Sequence, residues 1–300
     1  MRATVEQIRK RFDAAVDQFS NLQTGQSATV DAPFCLELVA DAAAQITPNA
    51  RQLLDVGCGA GNYTLKLIER LPNLDVTLLD LSRLMIDRAE QRVQAATAGR
   101  IVTIQGDVRD VHFAQASFDL ILAGNVLHHL RGESEWKSVF HKFYHALRAG
   151  GSIWIVDLIE HANPFIQNII SERYRAYLNQ LGGDELVQIV TTEIAEQDTP
   201  RPLLFQVDLL RNVGFDEVEI LHKHLCYAAF GAIKSSNQHQ QDRNDSGPSA
   251  MSAPAHWLRL AVPGQASPKN KSIIGTVASA RRSVALARIS DPAIEEKERE

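Results

Sequence analysis

The feature of the sequence that most limits the fold is a glycine-rich segment directly after a short apolar run. Residues 53–56 predict a strand buried on both faces, and a helical pattern begins at Tyr63. Between them lie Gly57, Gly59 and Gly61. Glycines at alternate positions let the backbone turn sharply and leave no side chain between the main chain and a ligand. The segment therefore predicts a strand, a tight turn and a helix, with a bulky ligand against the turn.

The spacing of the glycines distinguishes between two kinds of ligand. The dinucleotide-binding fingerprint is G-x-G-x-x-G, whereas this segment reads G-x-G-x-G, with Asp55 inside the preceding strand. The Asp55 carboxylate would repel a pyrophosphate, but it could hold the ammonium group of an amino-acid moiety directly or through water. The pattern therefore argues against a dinucleotide.

The run D-x-G-x-G-x-G from Asp55 to Gly61 resembles the first motif of the class I S-adenosylmethionine-dependent methyltransferases. The resemblance implies S-adenosylmethionine as the cofactor, bound at the turn by Asp55, Gly57, Cys58, Gly59 and Gly61. The alternative is a glycine-rich turn between a strand and a helix that binds nothing.

Beyond the turn, predicted strands alternate with predicted helices. The strands are 74–79, 100–105, 118–123 and 152–158, with helices at 82–96 and 132–148. This alternation implies parallel βαβ pairing. The family resemblance implies a Rossmann-like α/β fold, a mostly parallel seven-stranded sheet with helices on both faces that ends in an antiparallel hairpin. Residues 215–221 and 225–233 fit that hairpin. A glycine C-cap is expected at Gly150, after the helix 132–148.

Polar residues and glycines follow the predicted strands, at the edge where such sheets bind ligands. Asp80 ends the second strand, where its carboxylate could accept from both hydroxyls of a ribose. The resemblance assigns Asp80 and Leu81 to the ribose, and Asp107 and Val108 to the adenine. It places Gly124 and Asn125 beside the methionine part of the cofactor. A turn or N-cap role is the alternative for Asp107.

Two pairs of histidines are candidates for chemistry. His128 and His129 could act as a base, but the preferred interpretation is that one packs under the sheet and the other caps a turn. His141 and His145 have a spacing that metal ligands use on a helix, yet no carboxylate or cysteine completes a set there. Three cysteines without a C-x-x-C pair predict free thiols and no structural zinc. No metal site is therefore predicted.

The segments outside the sheet predict three parts. Residues 1–50 form a helical cover that begins with an amphipathic helix over 5–19, which either packs on the core or acts as a lid. Residues 51–234 form the cofactor-binding domain, and an insert at about 163–195, with predicted helices at 163–181 and 184–195, covers the substrate. Residues 235–300 are rich in Ser, Gln, Asn, Pro and Ala, which predicts a disordered tail.

Charge and hydropathy limit the partners. The net charge is −5, and residues 1–234 hold 22 Lys and Arg against 29 Asp and Glu, which disfavours nucleic acid as a partner. No apolar run is long enough to cross a membrane, and the N-terminus lacks the apolar core of a signal peptide. These patterns predict a cytoplasmic protein with a small-molecule substrate and no membrane partner, and they leave a homodimer possible.

Within the family, residues 10–234 are similar to the carboxy-S-adenosylmethionine synthases. Three departures matter: Gln26 replaces a tyrosine, Gly124 replaces an asparagine, and residues 188–191 lack an arginine that contacts the extra carboxylate. That carboxylate would lose its charged partner. The similarity places Gln26 at the cofactor. Methyl transfer to a small molecule is the preferred function, and the alternatives are carboxy-S-adenosylmethionine synthesis for tRNA wobble-uridine modification, or binding of the cofactor without catalysis.

Overall fold

A computed structural model describes residues 2–21 and 26–236 of the chain. The tail that the composition predicts to be disordered lies outside the described residues from 237 onward. Within the described ranges, no helix has both the length and the apolar character needed to cross a membrane.

Seven strands form one sheet in the order β3-β2-β1-β4-β5-β7-β6. Strands β1 to β5 pair in parallel, and β7 pairs antiparallel with both of its neighbours. The predicted fold class is therefore confirmed. The strands are β1 (Gln52–Val56), β2 (Asp75–Asp80), β3 (Ile101–Gln105), β4 (Phe118–Gly124), β5 (Leu147–Leu158), β6 (Glu217–His224) and β7 (Tyr227–Ile233).

Helices cover both faces of the sheet. Adjacent residues of the central strands point to opposite faces, so each face presents apolar side chains that a helix can cover. Leu53 packs among α3, α4 and α5, whereas Leu54 belongs to the layer that holds Phe140 and Phe143 of α6. Complete burial of a side chain of this size contributes about 2 kcal/mol. The helices are α1 (Val5–Ala14), α2 (Val16–Ser20), α3 (Ala32–Ile46), α4 (Asn62–Ile68), α5 (Arg83–Gln94), α6 (Glu133–Ala146), α7 (Pro164–Gln197) and α8 (Leu203–Val213).

Two predictions about helices are wrong. The amphipathic segment 5–19 is not one helix, because the backbone leaves helical geometry at Ala15 and separates α1 from α2. Helix α6 ends at Ala146, and its C-cap is Leu147 in an extended conformation. Gly150 does have a positive φ of 80°, but it lies within β5, where its N–H donates to the carbonyl of Lys234. The hairpin partner thus determines the position of this glycine.

The helical insert has a break where the sequence predicts one. Helix α7 is interrupted by non-helical backbone at Gly182 and Gly183, between the two predicted helices. Its first half holds the segment before α3, because the Tyr174 hydroxyl donates to the Ala28 carbonyl at 2.8 Å and the Tyr177 hydroxyl to the Ser27 carbonyl at 2.9 Å.

The N-terminal helices lie against the glycine turn and α5. The side chain of Ser82 donates to Asp13 at 2.5 Å, and Arg88 donates to Asp17 at 2.8 Å. The Asn62 amide donates to the Phe19 carbonyl at 2.9 Å. These contacts bring α1 and α2 to the carboxyl ends of β1 and β2, where the predicted site residues lie. Whether this segment opens as a lid stays a prediction.

Candidate active site

The glycine turn after β1 has the backbone conformation that its sequence demands. The φ angles of Gly57, Gly59 and Gly61 are 64°, 48° and 82°, in the region that side chains disfavour. A Cβ atom on Gly57 would also lie 2.5 Å from Cγ2 of Val126. Gly57 therefore packs directly against Val126, where any larger residue would clash.

Asp80 fixes this turn from the end of β2. Its carboxylate accepts the backbone N–H groups of Gly59 at 2.9 Å and Ser82 at 2.8 Å. Burial raises the pKa of Asp80, and the charge of Asp13 adds to the effect, although the backbone hydrogen bonds work against it. A carboxylate has about four acceptor positions, so the group can still accept hydroxyls of a ligand.

Asp55 lies beneath the turn. Its side chain accepts the hydroxyl of Thr64 at 2.6 Å and is almost fully buried. Burial raises the pKa of Asp55 to about 7, and the nearby Asp80 carboxylate contributes. Two cavities border the turn, and Asp55 is not part of the walls of either one. Direct contact between Asp55 and a cofactor is therefore not visible in this geometry.

Two cavities meet at Gly57. The first, of about 240 Å³, lies between the start of α1 and the ends of β2 and β3, and its walls include Ile8, Asp80, Leu81, Asp107 and Val108. The second, of about 90 Å³, lies over the glycine turn, and its walls include Gln26, Gly57, Cys58, Gly59, Tyr63, Asp80, Leu81, Gly124 and Asn125. Together the two cavities can hold an elongated ligand across the turn.

Two residues that line the second cavity carry buried polar atoms without a partner. The hydroxyl of Tyr63 and Oδ1 of Asn125 are buried and have no hydrogen-bond partner within the described part of the protein. A buried polar group without a partner costs about 1–3 kcal/mol, so such groups in native sites generally meet a ligand or water. The ring of Tyr63 also packs so closely on Gly124 that a Cβ there would lie 2.5 Å from Cε2.

A third cavity, of about 240 Å³, opens beside the second. The two share Phe12, Phe19, Gln26, Asn125 and His129. Other walls come from α1, the second half of α7 and the ends of β5 and β7. They include the apolar or aromatic residues Leu158, Leu186, Ile189, Val190, Ile194 and Tyr227 and the polar residues Arg11, His128, Glu193 and Asp198. A ligand bound here would lie next to one bound over the glycine turn.

His129 borders all three cavities. Its Nδ1 lies 3.1 Å from Oδ1 of Asp198, yet neither ring nitrogen is oriented to hydrogen bond with any described group. Burial and the adjacent His128 lower the pKa of His129, because a second positive charge there is unfavourable. The lowered pKa favours the neutral ring, whose two nitrogen atoms are buried and have no hydrogen-bond partner among the described residues.

His128 is buried behind His129 and is held by Asp157 at the end of β5. Its Nδ1 pairs with one carboxylate oxygen, and its backbone N–H donates to the other at 3.1 Å. Burial alone would lower the pKa of His128, but the carboxylates of Asp157 and Asp198 outweigh it and raise the pKa to about 9. At neutral pH the cavity wall therefore carries an imidazolium.

The predicted site residues fall into three groups. Gln26, Gly57, Cys58, Gly59, Asp80, Leu81, Gly124 and Asn125 border the second cavity, whereas Asp107 and Val108 border the first. Asp55 and Gly61 support the turn from outside both cavities. Arg109 donates to Asp107 and outweighs the effect of burial, so the pKa of that carboxyl is lowered. The cofactor contacts themselves stay predictions.

Sequence reasoning missed several residues of the site. Phe12, Phe19 and Tyr63 line the cavities, and Asp157 and Asp198 accompany the histidines. Asp157 gave a signal, since it lies near the carboxyl end of a predicted strand in the same sheet. Asp198 gave none, because it follows a helix whose packing the sequence does not specify.

The chain is similar in sequence to known methyltransferases and their relatives. Residues 53–151 match the sequence model of a family described as "Methyltransferase domain". A malonyl-[acyl-carrier protein] O-methyltransferase from Paenibacillus sp. (strain JDR-2) is 31% identical over 42% of this chain, and the match spans only 45% of that relative. A carboxy-S-adenosyl-L-methionine synthase from Shewanella sp. (strain ANA-3) is 26% identical over 63% of this chain and 78% of its own length.

The fold has solved counterparts. An O-methyltransferase family protein from Burkholderia thailandensis superimposes with a TM-score of 0.55 at 16% identity, covering 78% of this chain and 62% of that structure. The chain thus carries the class I methyltransferase fold. It is a homologue of class I S-adenosylmethionine-dependent methyltransferases, a group that includes the carboxy-S-adenosylmethionine synthases. Homologues with this fold use S-adenosylmethionine as their cofactor.

Proposed function

We propose that this protein transfers a methyl group from S-adenosylmethionine to a small acceptor bound in the third cavity. One observation carries the proposal: His129 and Asn125 lie where the cavity over the glycine turn joins the third cavity. A reaction between two bound molecules needs such a shared boundary. Holding both reactants there can supply several kcal/mol of the barrier reduction.

Different residues around the turn would contact different parts of the bound cofactor. Asp80 offers two carboxylate oxygens to the ribose, and Asp107 with Val108 borders the space for the adenine. Asn125 and Tyr63 offer unpaired oxygen atoms to the amino-acid part. When bound, S-adenosylmethionine supplies a methyl group that is already electrophilic, because it is attached to a positively charged sulfur. The protein therefore needs to orient the acceptor, exclude water and handle one proton.

His129 is our candidate for the proton acceptor. It is the neutral histidine, it borders the third cavity, and Asp198 lies 3.1 Å from its Nδ1. A small rotation of the ring would let an Nδ1 proton hydrogen bond to Asp198, and Nε2 would then be left to take the proton of the acceptor. This role corresponds to the minor interpretation of the sequence, in which one of the two histidines acts as a base.

His128 serves a different purpose in this proposal. Its positive charge, maintained by Asp157, lies at the wall of the third cavity. A fixed positive charge stabilises negative charge that develops on an acceptor as its proton leaves. The pair favours an acceptor with an acidic hydroxyl or an activated carbon, on an otherwise apolar molecule that suits walls such as Ile189, Val190 and Tyr227.

The first test is to denature the purified protein, identify any released adenosine compound by mass spectrometry, and measure methyl transfer from labelled S-adenosylmethionine to a panel of phenols and β-dicarbonyl compounds. We expect S-adenosylmethionine or S-adenosylhomocysteine to bind and at least one panel member to be methylated. Binding without transfer to any acceptor in the panel or in a cell extract would support the non-catalytic alternative instead.

Carboxy-S-adenosylmethionine synthesis is the second candidate, since the synthase match spans most of the relative's length. That cofactor needs a cation for its extra carboxylate. The third cavity offers Arg11 from α1, but Arg11 already pairs with Glu193 at 2.5 Å and Gln197 at 2.8 Å. Because Arg11 already has these two partners, it is not free to bind the extra carboxylate, and plain methyl transfer is favoured. Release of carboxy-S-adenosylmethionine from the purified protein would reverse the preference.

A further inference from the structure

A group of two histidines and one aspartate lies outside the cofactor and acceptor cavities. Asp31 precedes α3, and His222 and His224 belong to β6, one of the two edge strands of the sheet. Nε2 of His222 lies 2.9 Å from Oδ2 of Asp31, and Nδ1 of His224 lies 2.7 Å from the same oxygen. All three donor atoms lie within 4.8 Å of one another. Two imidazoles thus converge on a single carboxylate oxygen.

The backbone around these residues positions the three side chains so that their donor atoms lie close together. Residues two apart on a strand point to the same side, so β6 directs both imidazoles the same way. The ring of Phe34 packs edge-on against His222, with centroids 5.1 Å apart. Asp31 occupies the N-cap position of α3, yet its side chain makes no capping hydrogen bond. The carboxylate faces the histidines instead of the helix it precedes.

We propose that Asp31, His222 and His224 bind a divalent transition-metal ion, of which zinc is the first candidate. Two imidazole nitrogens and one carboxylate oxygen are a common donor set for zinc, with water at the fourth position. The side chain of His224 is 52% exposed, that of Asp31 38% and that of His222 25%. An ion can therefore enter from solvent and exchange.

Such an ion would join two parts of the chain that are far apart in sequence. Residues 26–29, which end two positions before Asp31, line the third cavity, and Tyr174 and Tyr177 hold them from α7. The ion would tie the end of this segment to the β6–β7 hairpin. Metal binding itself does not depend on the proposed methyl transfer, and it can be measured when no acceptor is known.

The test is titration calorimetry of the full chain, first stripped with a chelator, with zinc chloride. A cobalt(II) titration followed by visible absorption reports the coordination independently. We expect one equivalent to bind per chain, and His224→Gln and Asp31→Asn each to weaken binding by about tenfold or more. His224 is the most exposed of the three, so its variant should fold like the parent, which circular dichroism without metal would verify.

Two control variants separate this site from the other histidines. The double variant His141→Gln with His145→Gln removes the stacked pair on α6, and it should keep the full stoichiometry and affinity. His129→Asn removes a member of the other histidine–carboxylate group, formed with His128 and Asp198, and it should also keep them. Absence of stoichiometric binding to the parent chain, or loss of binding in a control variant but not in His224→Gln, would overturn the proposal.

Discussion

Asp157 binds His128 twice, through the ring nitrogen Nδ1 and through the backbone N–H. The contact joins the end of β5 to the short turn that follows β4, and it fixes both the position of the turn and the orientation of the ring. Because the carboxylate is completely buried, the pair also keeps a positive charge beside the third cavity. Several consequences of this arrangement and of the glycine turn can be measured.

The first prediction concerns pH-dependent stability. The pKa of His128 is about 9 in the folded protein, against 6.5 for an unperturbed histidine. Its charged form therefore stabilises the fold fully below pH 6.5, and this contribution, about 3 kcal/mol, is lost as the pH rises through 9. Asp157→Asn should lower the free energy of unfolding by about 3 kcal/mol at pH 6 and by much less at pH 9.5.

Urea unfolding at the two pH values measures this difference. Asp208→Asn is a suitable control, because Asp208 is exposed on α8 and contacts only Arg211 among the ion pairs of the described residues. The control should follow the parent at both pH values. An equal loss of stability at pH 6 and pH 9.5 in Asp157→Asn would show that the charge of His128 is not what the carboxylate stabilises.

The second prediction concerns His129. If it accepts the proton of the methyl acceptor, His129→Asn should lower kcat by about 100-fold or more, which is typical for the loss of a general base. The dissociation constant for S-adenosylmethionine should change little. The rate of the parent should fall at low pH as His129 becomes protonated, and the variant should lose this limb of the pH profile.

Rapid-quench kinetics with an identified acceptor, together with cofactor titration, separate the two effects. His145→Asn on α6 serves as the matched histidine control. A variant with unchanged kcat but weaker cofactor binding would assign His129 to the cofactor pocket rather than to proton transfer.

The third prediction concerns Gly57. An alanine there would have an unfavourable positive φ, and its Cβ would clash with Val126 between the first and second cavities. Gly57→Ala should therefore abolish measurable binding of S-adenosylmethionine and destabilise the fold by about 1–3 kcal/mol. Gly150→Ala introduces the same kind of backbone strain, but no atom lies within 4 Å of its Cβ. It should lose some stability and retain cofactor binding, as calorimetry of both variants would reveal.

The fourth prediction concerns Asp80. Asp80→Ala removes the acceptor for two backbone N–H groups as well as the proposed ribose contact. We expect the dissociation constant for S-adenosylmethionine to rise by about 100-fold, equivalent to nearly 3 kcal/mol. Asp75→Ala, at the opposite end of β2, removes an acceptor for Arg100 and Gln52 in the same way. Cofactor binding that falls equally in both variants would indicate general damage to the sheet rather than a lost ribose contact.

The order of strands and helices was predictable because each element carries its own pattern of apolar residues. The turn at Gly57 was predictable for the same local reason, since the glycines, the preceding strand and the following helix lie within a dozen residues. The end of α6 was not, because the position of Gly150 depends on its hydrogen bond to Lys234 in another part of the sheet. Local sequence cannot report a partner that distant.

The sequence by itself determined the fold class, the glycine turn and the acidic residues that end β2 and follow β3. These features depend on the periodicity of apolar residues and on the conformational freedom of glycine. Both are properties of residues that lie close together in the sequence. Only the tertiary structure brought Asp157 to His128, Asp198 to His129, and Asp31 to His222 and His224. Those pairs span from 29 to 193 residues, and long-range packing alone determines which charged groups meet and how their pKa values shift.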